Sequence, residues 1–118
     1  MTVQECYIRM DGDYEDAIRR LRNDERLKKF LTKLPADHSF ADLCTALSEQ
    51  NYAAAFRAAH TLKGISLNLS LTPLAKSSST LTEVLRAERA DDRIAELFRQ
   101  VQADYQKTMA AIAGLLDA

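Results

Sequence analysis

Residues 52–69, YAAAFRAAHTLKGISLNL, form an alanine-rich segment in which apolar residues recur every three or four positions. On a helical wheel with Leu62 at 0° and about 100° per residue, one mostly apolar stripe lies within about 60° of Leu62. Its members are Ala55, Ala58, Ala59, Ile65, Ser66 and Leu69. This periodicity predicts an amphipathic helix that buries one face against neighbouring helices.

His60 lies on the opposite side of the same helix, at about 160° on the wheel. Gly64 lies at about 200° and Arg57 at about 220°, so the imidazole is expected to face solvent. Because glycine inside a helix costs about 1 kcal/mol relative to alanine, Gly64 next to an exposed histidine indicates a functional requirement. A glycine there leaves the ring unshielded.

The composition around this segment favours an all-α protein. The chain has 118 residues, which suits one domain with a single core. With only 3 Gly and 2 Pro, it lacks the turn residues that a β-rich fold needs. It is rich in Ala, Leu, Arg, Glu and Lys, which favour helices.

Charge and hydropathy exclude several function classes. The net charge of −1 gives no basic face for nucleic acid. No apolar run approaches the ~20 residues of a membrane span, and residues 2–5 lack the features of a signal peptide, so we expect a cytoplasmic protein. Cys6 and Cys44 form no metal-ligand pattern and are expected to be buried, reduced thiols.

The first third of the chain predicts three short helices that pack across one end of a bundle. Their expected extents are 2–10 capped by Thr2, 14–22 capped by Asp13, and 23–34 capped by Asn23 or Asp24 and stopped by Pro35.

Four longer helices follow. Their expected extents are 39–50 with a capping box of Ser39 and Asp42, 52–70 capped by Asn51, 72–87 capped by Thr72 before Pro73, and 91–114 opened by Asp91 and Asp92 and ended near Gly114. Short connections place neighbouring helices antiparallel. We therefore predict a single domain, an antiparallel up-down four-helix bundle over residues 37–116 with short N-terminal capping helices over residues 1–36.

The run from His60 to Gly64, HTLKG, continuing through Asn68 and Leu69, resembles the phosphorylation-site motif of histidine phosphotransfer (HPt) domains. The resemblance covers residues from about 37 to 116 and agrees with the helical pattern. Two positions differ from the family, which usually has a small residue in place of Leu67 and a glycine in place of Ser70. The first difference concerns how a partner packs near the histidine, the second where the helix bends.

The resemblance implies a phosphoryl carrier and not an enzyme. Such a carrier takes a phosphoryl group from the aspartate of one receiver domain and passes it to another. Response-regulator receiver domains and a hybrid sensor kinase are therefore the expected partners, and we expect a monomer. The resemblance also implies that this chain binds no cofactor and that Mg²⁺ belongs to the receiver. The chain has no Gly-rich nucleotide loop and no acidic cluster for magnesium.

His60 is the expected phosphoacceptor. Phosphoryl relay needs a nucleophile that reacts near neutral pH and gives a labile product, and a neutral imidazole meets this need. Lys63, three residues later, and Arg57, three residues earlier, can reach a phosphoryl group from opposite sides. Of these two cations, only Lys63 belongs to the family motif.

Apolar residues beside His60 predict a docking surface for a partner. Leu67, Phe56 and Leu71 lie at about 140°, 120° and 180° on the wheel, where a solitary surface helix would be polar. They can form an apolar collar for a partner helix, while Gly64 gives access to the ring. For Phe56 and Leu71 the alternative is that cap helices or neighbouring turns cover them. For Leu67 docking is the preferred interpretation.

The alternatives to phosphotransfer are less well supported. The positions four residues from His60 hold Phe56 and Gly64, so no helical pair of metal ligands exists. His38 is interpreted as a loop residue, and residues 86–93 as a solvated turn, with a border to a partner as the alternative. The chain could also be a receiver-docking module without phosphotransfer, or a structural oligomerisation domain. The joint presence of His60, Lys63 and Gly64 disfavours both.

Overall fold

In the computed structural model, which describes residues 1–116, the protein is all-helical, as predicted, and this part of the chain contains no strand. The helices are α1 (Val3–Met10), α2 (Tyr14–Leu21), α3 (Asp24–Lys33), a short 3₁₀ turn (Leu34–Ala36), α4 (Ser39–Ser48), α5 (Tyr52–Asn68), α6 (Thr72–Leu85) and α7 (Ile94–Leu116). No helix among these residues combines the length and the apolar character that crossing a membrane requires.

The three short helices begin at the caps that the sequence predicts. Thr2 forms a capping box, in which its hydroxyl accepts from the Glu5 amide and the Glu5 carboxylate accepts from the Thr2 amide. Asp13 and Asn23 each accept a hydrogen bond from the amide three residues later. Each cap satisfies a backbone N–H that has no partner within its own helix.

Two predicted caps are wrong. Ser39 is the first residue of α4 and is buried, and its amide donates to the Asp37 carboxylate at 2.9 Å, so Ser39 forms no capping box with Asp42. Thr72 is likewise the first helical residue of α6, because Leu71 takes the N-cap position without a side-chain hydrogen bond. In both places the chain enters the helix one residue earlier than the sequence pattern suggested.

The predicted end of α7 at Gly114 is also wrong, since the helix continues to Leu116. A Cβ added at Gly114 would lie 2.7 Å from Cε of Met1. Gly114 thus lies within the helix, where the absence of a side chain leaves room for the flexible end of Met1.

Consecutive long helices pack against one another, with α4 on α5, α5 on α6 and α6 on α7, while α1 packs on α7. Their buried residues form one core that also includes the short helices. Its largest fully buried side chains are Tyr7, Met10, Leu27, Leu31, Leu43, Leu62, Leu71, Leu74, Leu81, Leu85, Ile112 and Leu115. Cys6 is buried and Cys44 partly buried, and both are free thiols, close to the prediction.

The turn between α5 and α6 is the place where the N-terminal helices attach. The chain reverses at Ser70, which adopts a left-handed φ of 55°. The Asp13 amide donates to the Ser70 carbonyl at 2.9 Å, and the buried Tyr7 hydroxyl donates to the Leu69 carbonyl at 2.6 Å. A Cβ on Gly12 would lie only 3.0 Å from the same Ser70 carbonyl, so glycine allows this close approach.

Side chains of α2 complete this attachment. Arg20 donates to the carbonyls of Leu67 and Asn68 at 3.0 and 2.9 Å, at the end of α5 where carbonyl groups run out of regular helical partners. The Ser70 hydroxyl donates to the Asp16 carboxylate at 2.6 Å. This hydrogen bond, followed by those from Arg19 and Arg20, lowers the pKa of Asp16 to about 2. The C-terminal end of α5 is thus fixed by residues that precede α3.

Candidate functional site

His60 lies in the middle of α5, and its side chain is exposed, as predicted. The helix begins at Asn51, whose side chain accepts from the Ala54 amide at 3.1 Å. The small residues Ala55 and Ala59 are completely buried, because alanines let α4 and α6 approach closely on either side. The burial of this face turns His60 towards solvent.

Gly64 leaves open space beside the imidazole. It is exposed, and a Cβ added there would meet no atom within 4 Å of its own position, apart from its own helix and chain neighbours. The glycine is therefore not required for packing or for backbone conformation. Its effect on the structure is to keep the surface one turn after His60 free of a side chain.

Phe56 supports the imidazole from one turn earlier. The two rings are stacked, with centroids 5.9 Å apart and planes inclined by 21°. The guanidinium carbon of Arg86, the residue directly after α6, lies 5.2 Å from the Phe56 centroid. Phe56 is partly buried and packs against the core, so its ring is not a fully free apolar surface.

The two predicted cations lie on different sides of His60. Arg57 is exposed and lines a groove of about 410 Å³ between α4 and α5, together with Asp42 and Glu49. We call this side the α4 flank. Lys63 is partly buried and lies on the side of α6, where its charge acts on Glu83. Among residues 1–116 neither cation forms an ion pair.

The α6 side also holds two charged residues that the sequence analysis missed. Arg86 donates to the two carboxylate oxygens of Glu83 at 2.9 and 3.2 Å. These hydrogen bonds lower the pKa of Glu83, and electrostatic interactions with Arg86, Lys63 and His60 lower it further. We call Lys63, Glu83 and Arg86 the α6 flank.

A signal for this pair was present in the sequence. His60 precedes Ser70 by ten residues and Glu83 follows it by thirteen. A tight turn at Ser70 that sends α6 back along α5 therefore brings Glu83 to about the height of His60. Arg86 itself lies in an exposed turn, as predicted for residues 86–93, but its contact with Phe56 was not predicted.

Of the apolar residues predicted beside His60, Leu67 is exposed and Leu71 is not. Leu67 lies on α5 with 51% of its surface exposed. Leu71 is only 1% exposed, so its predicted place on a docking surface is wrong. The reason is that α5 ends at Asn68 and the chain reverses at Ser70, so the helical wheel of α5 does not apply to Leu71.

The site as a whole combines an exposed imidazole, an open surface at Gly64 and cations on both sides. Such an arrangement can accept an anionic group on a ring nitrogen and contact its oxygens with N–H donors. In the described part of the chain, no group of three or more His, Cys, Asp or Glu side chains is placed to hold a metal ion.

The sequence matches the Hpt domain family over residues 25–115, from the first turn of α3 almost to the end of α7. No curated protein and no solved structure matches the chain significantly. The family match includes the whole of α5 and leaves α1 and α2 outside. Since it covers well over half of the chain, the protein belongs to the Hpt domain family, whose members serve in histidine phosphotransfer within phosphorelays.

Proposed function

We propose that this protein accepts a phosphoryl group on His60 from the aspartate of one receiver domain and passes it to another receiver. The observation that carries the proposal is the exposed imidazole in the middle of α5, beside the open surface at Gly64. The membership in the Hpt family supports the same function.

In the proposed reaction, a ring nitrogen of His60 attacks the phosphorus of the receiver's aspartyl phosphate. A nitrogen–phosphorus bond forms, the phosphorus–oxygen bond breaks, and the aspartate leaves as a carboxylate. The proton on the other ring nitrogen stabilises positive charge during transfer and can leave to solvent afterwards. Transfer to the second receiver is the reverse reaction.

Lys63 and Arg57 are the proposed phosphate-stabilising residues. The phosphoryl group brings negative charge and three acceptor oxygens, and the two cations flank His60 on the sides of α6 and α4. Each contributes at most about 1 kcal/mol at an exposed site. The contribution is larger once a docked partner excludes water.

The remaining parts of the proposal concern the partners. We propose that the protein has no kinase activity and needs no cofactor of its own, and that Mg²⁺ is held by the receiver. A hybrid sensor kinase is the proposed source of the phosphoryl group, and the carrier is proposed to act as a monomer. An antiparallel up-down arrangement of α4–α7 belongs to the same proposal, supported by the packing of each helix on the next.

The test is phosphotransfer from a purified, phosphorylated receiver domain to this protein. We expect an acid-labile, base-stable phosphoryl group that is absent from His60→Gln. His38→Gln is the matched control, because His38 is the only other histidine and is also exposed. Both variants should fold like the parent, since exposed substitutions usually change stability by less than about 0.5 kcal/mol.

Labelling that persists in His60→Gln and disappears in His38→Gln would refute the assignment. Binding of receivers without any labelling would instead favour a docking module that does not transfer phosphate.

A further inference from the structure

Glu83 and Arg86 form an ion pair at the edge of the candidate site, and the His60 imidazole is not part of this pair. The pair is exposed, with 57% and 55% of the two side chains accessible. Such a pair is held weakly, because water screens its charges and both side chains can adopt other rotamers. Its geometry can therefore change when a new charge appears nearby.

The pair is connected to His60 through Phe56. The Arg86 guanidinium lies over the Phe56 ring at 5.2 Å, and the same ring stacks on the imidazole at 5.9 Å. Arg86 and His60 thus contact the same aromatic ring, which places the guanidinium near the proposed phosphorylation site.

The charge balance of this side changes when His60 carries a phosphoryl group. In the free protein the Glu83 carboxylate binds Arg86 through two hydrogen bonds and lies within the electrostatic influence of Lys63. A phosphoryl group adds negative charge that repels the Glu83 carboxylate and competes for Arg86. Arg recognises phosphate oxygens with the same bidentate geometry that it uses for a carboxylate.

We propose that Arg86 is a third phosphate-binding residue of this site and that Glu83 opposes phosphorylation of His60 by binding Arg86 and repelling the incoming group. The inference rests on the proposed function for the identity of the modified residue. The Glu83–Arg86 pair then regulates that same site, because Glu83 limits how readily His60 accepts a phosphoryl group.

The test uses phosphoramidate, a small anionic donor, so that no receiver is needed, and all variants carry His38→Gln so that the label reports on His60. A ring nitrogen of His60 attacks its phosphorus, the phosphorus–nitrogen bond breaks, and ammonia leaves with the proton released by the ring. We expect His60 to be phosphorylated roughly threefold faster in Glu83→Gln than in the parent protein, and roughly threefold slower in Arg86→Gln. Asp91→Asn is the matched control, because it removes an equal charge from another exposed pair with an arginine, Arg93.

Opposite signs for the two variants distinguish this inference from a structural role, since loss of the ion pair alone would affect both in the same direction. The differences should also shrink in 1 M salt, where the Debye length falls to about 3 Å. Equal rates for Glu83→Gln, Asp91→Asn and the parent would overturn the inference. That result would leave the proposed function intact, because phosphoramidate phosphorylates an exposed histidine whether or not receiver domains exchange phosphoryl groups with it.

Discussion

The α4 flank and the α6 flank of His60 each hold a cation three residues from the histidine in the sequence, but the two cations have different surroundings. Arg57 and Lys63 are each three residues from His60. Arg57 is exposed at an open groove, whereas Lys63 is partly buried next to the Glu83–Arg86 pair. The electrostatic effect of a cation on the site therefore depends on the helices packed around it. Two cations at equal spacing from His60 in the sequence are not expected to have equal effects.

Gly64 lies between the two flanks, and its substitution is expected to have the largest effect on the rate of phosphotransfer. Gly64→Gln should slow phosphotransfer from a receiver by more than about tenfold, because its side chain fills the open space where the partner must approach. A tenfold change corresponds to about 1.4 kcal/mol in the barrier. The measurement is single-turnover transfer from a phosphorylated receiver.

Gly64→Ala is the control for helix propensity at the same position. It should raise the free energy of unfolding by roughly 0.5–1 kcal/mol, since the added Cβ meets no neighbouring atom. Wild-type transfer by Gly64→Gln would show that a partner does not approach over this surface.

Alanine substitutions of the two cations compare the flanks directly. Lys63→Ala should slow phosphorylation by about tenfold, while Arg57→Ala should slow it only about two- to threefold. The reason is that Lys63 is partly buried, so water screens its charge less than that of Arg57. Neither substitution should change the melting temperature appreciably.

Equal losses for the two alanine variants would contradict the difference between the flanks. Unfolding of Lys63→Ala would show that Lys63 belongs to the core.

Substitution of Leu67 tests whether a receiver docks on the surface beyond the two flanks. Among these substitutions it is expected to change the rate of phosphoryl transfer least. Burial of this leucine in an interface contributes about 1–2 kcal/mol, so Leu67→Ala should weaken receiver binding by up to about tenfold. The isolated fold should lose little stability, since half of the side chain is already exposed. Calorimetric titration with a receiver measures the affinity, and thermal unfolding the stability.

A fall in stability of more than about 2 kcal/mol with unchanged binding would place Leu67 in the packing of the fold and remove it from the docking surface.

The sequence predicted those features that depend on one helix alone. The exposure of His60 and Gly64 follows from the period of α5, and the caps at Thr2, Asp13 and Asn51 follow from local hydrogen bonding. Such features need no knowledge of neighbouring helices.

The features that the sequence did not predict depend on contacts between elements. Leu71 is buried because the chain reverses at Ser70, and side chains that fix this turn by hydrogen bonds lie 47 to 62 positions away in the sequence. The Glu83–Arg86 pair lies at the site because α6 packs on α5 at a particular register. A helical wheel describes the direction of a side chain and carries no information on the helix opposite to it.

The hydrogen bonds that Tyr7, Asp13 and Arg20 donate to the end of α5 have a consequence for folding. These donors precede residue 25, where the family match begins. A fragment trimmed to residues 25–115 would leave the Leu69 and Ser70 carbonyls without these donors and would expose apolar surface now covered by α1. We therefore predict that the folding unit extends beyond the matched segment, and that the helix that carries His60 melts together with the N-terminal helices.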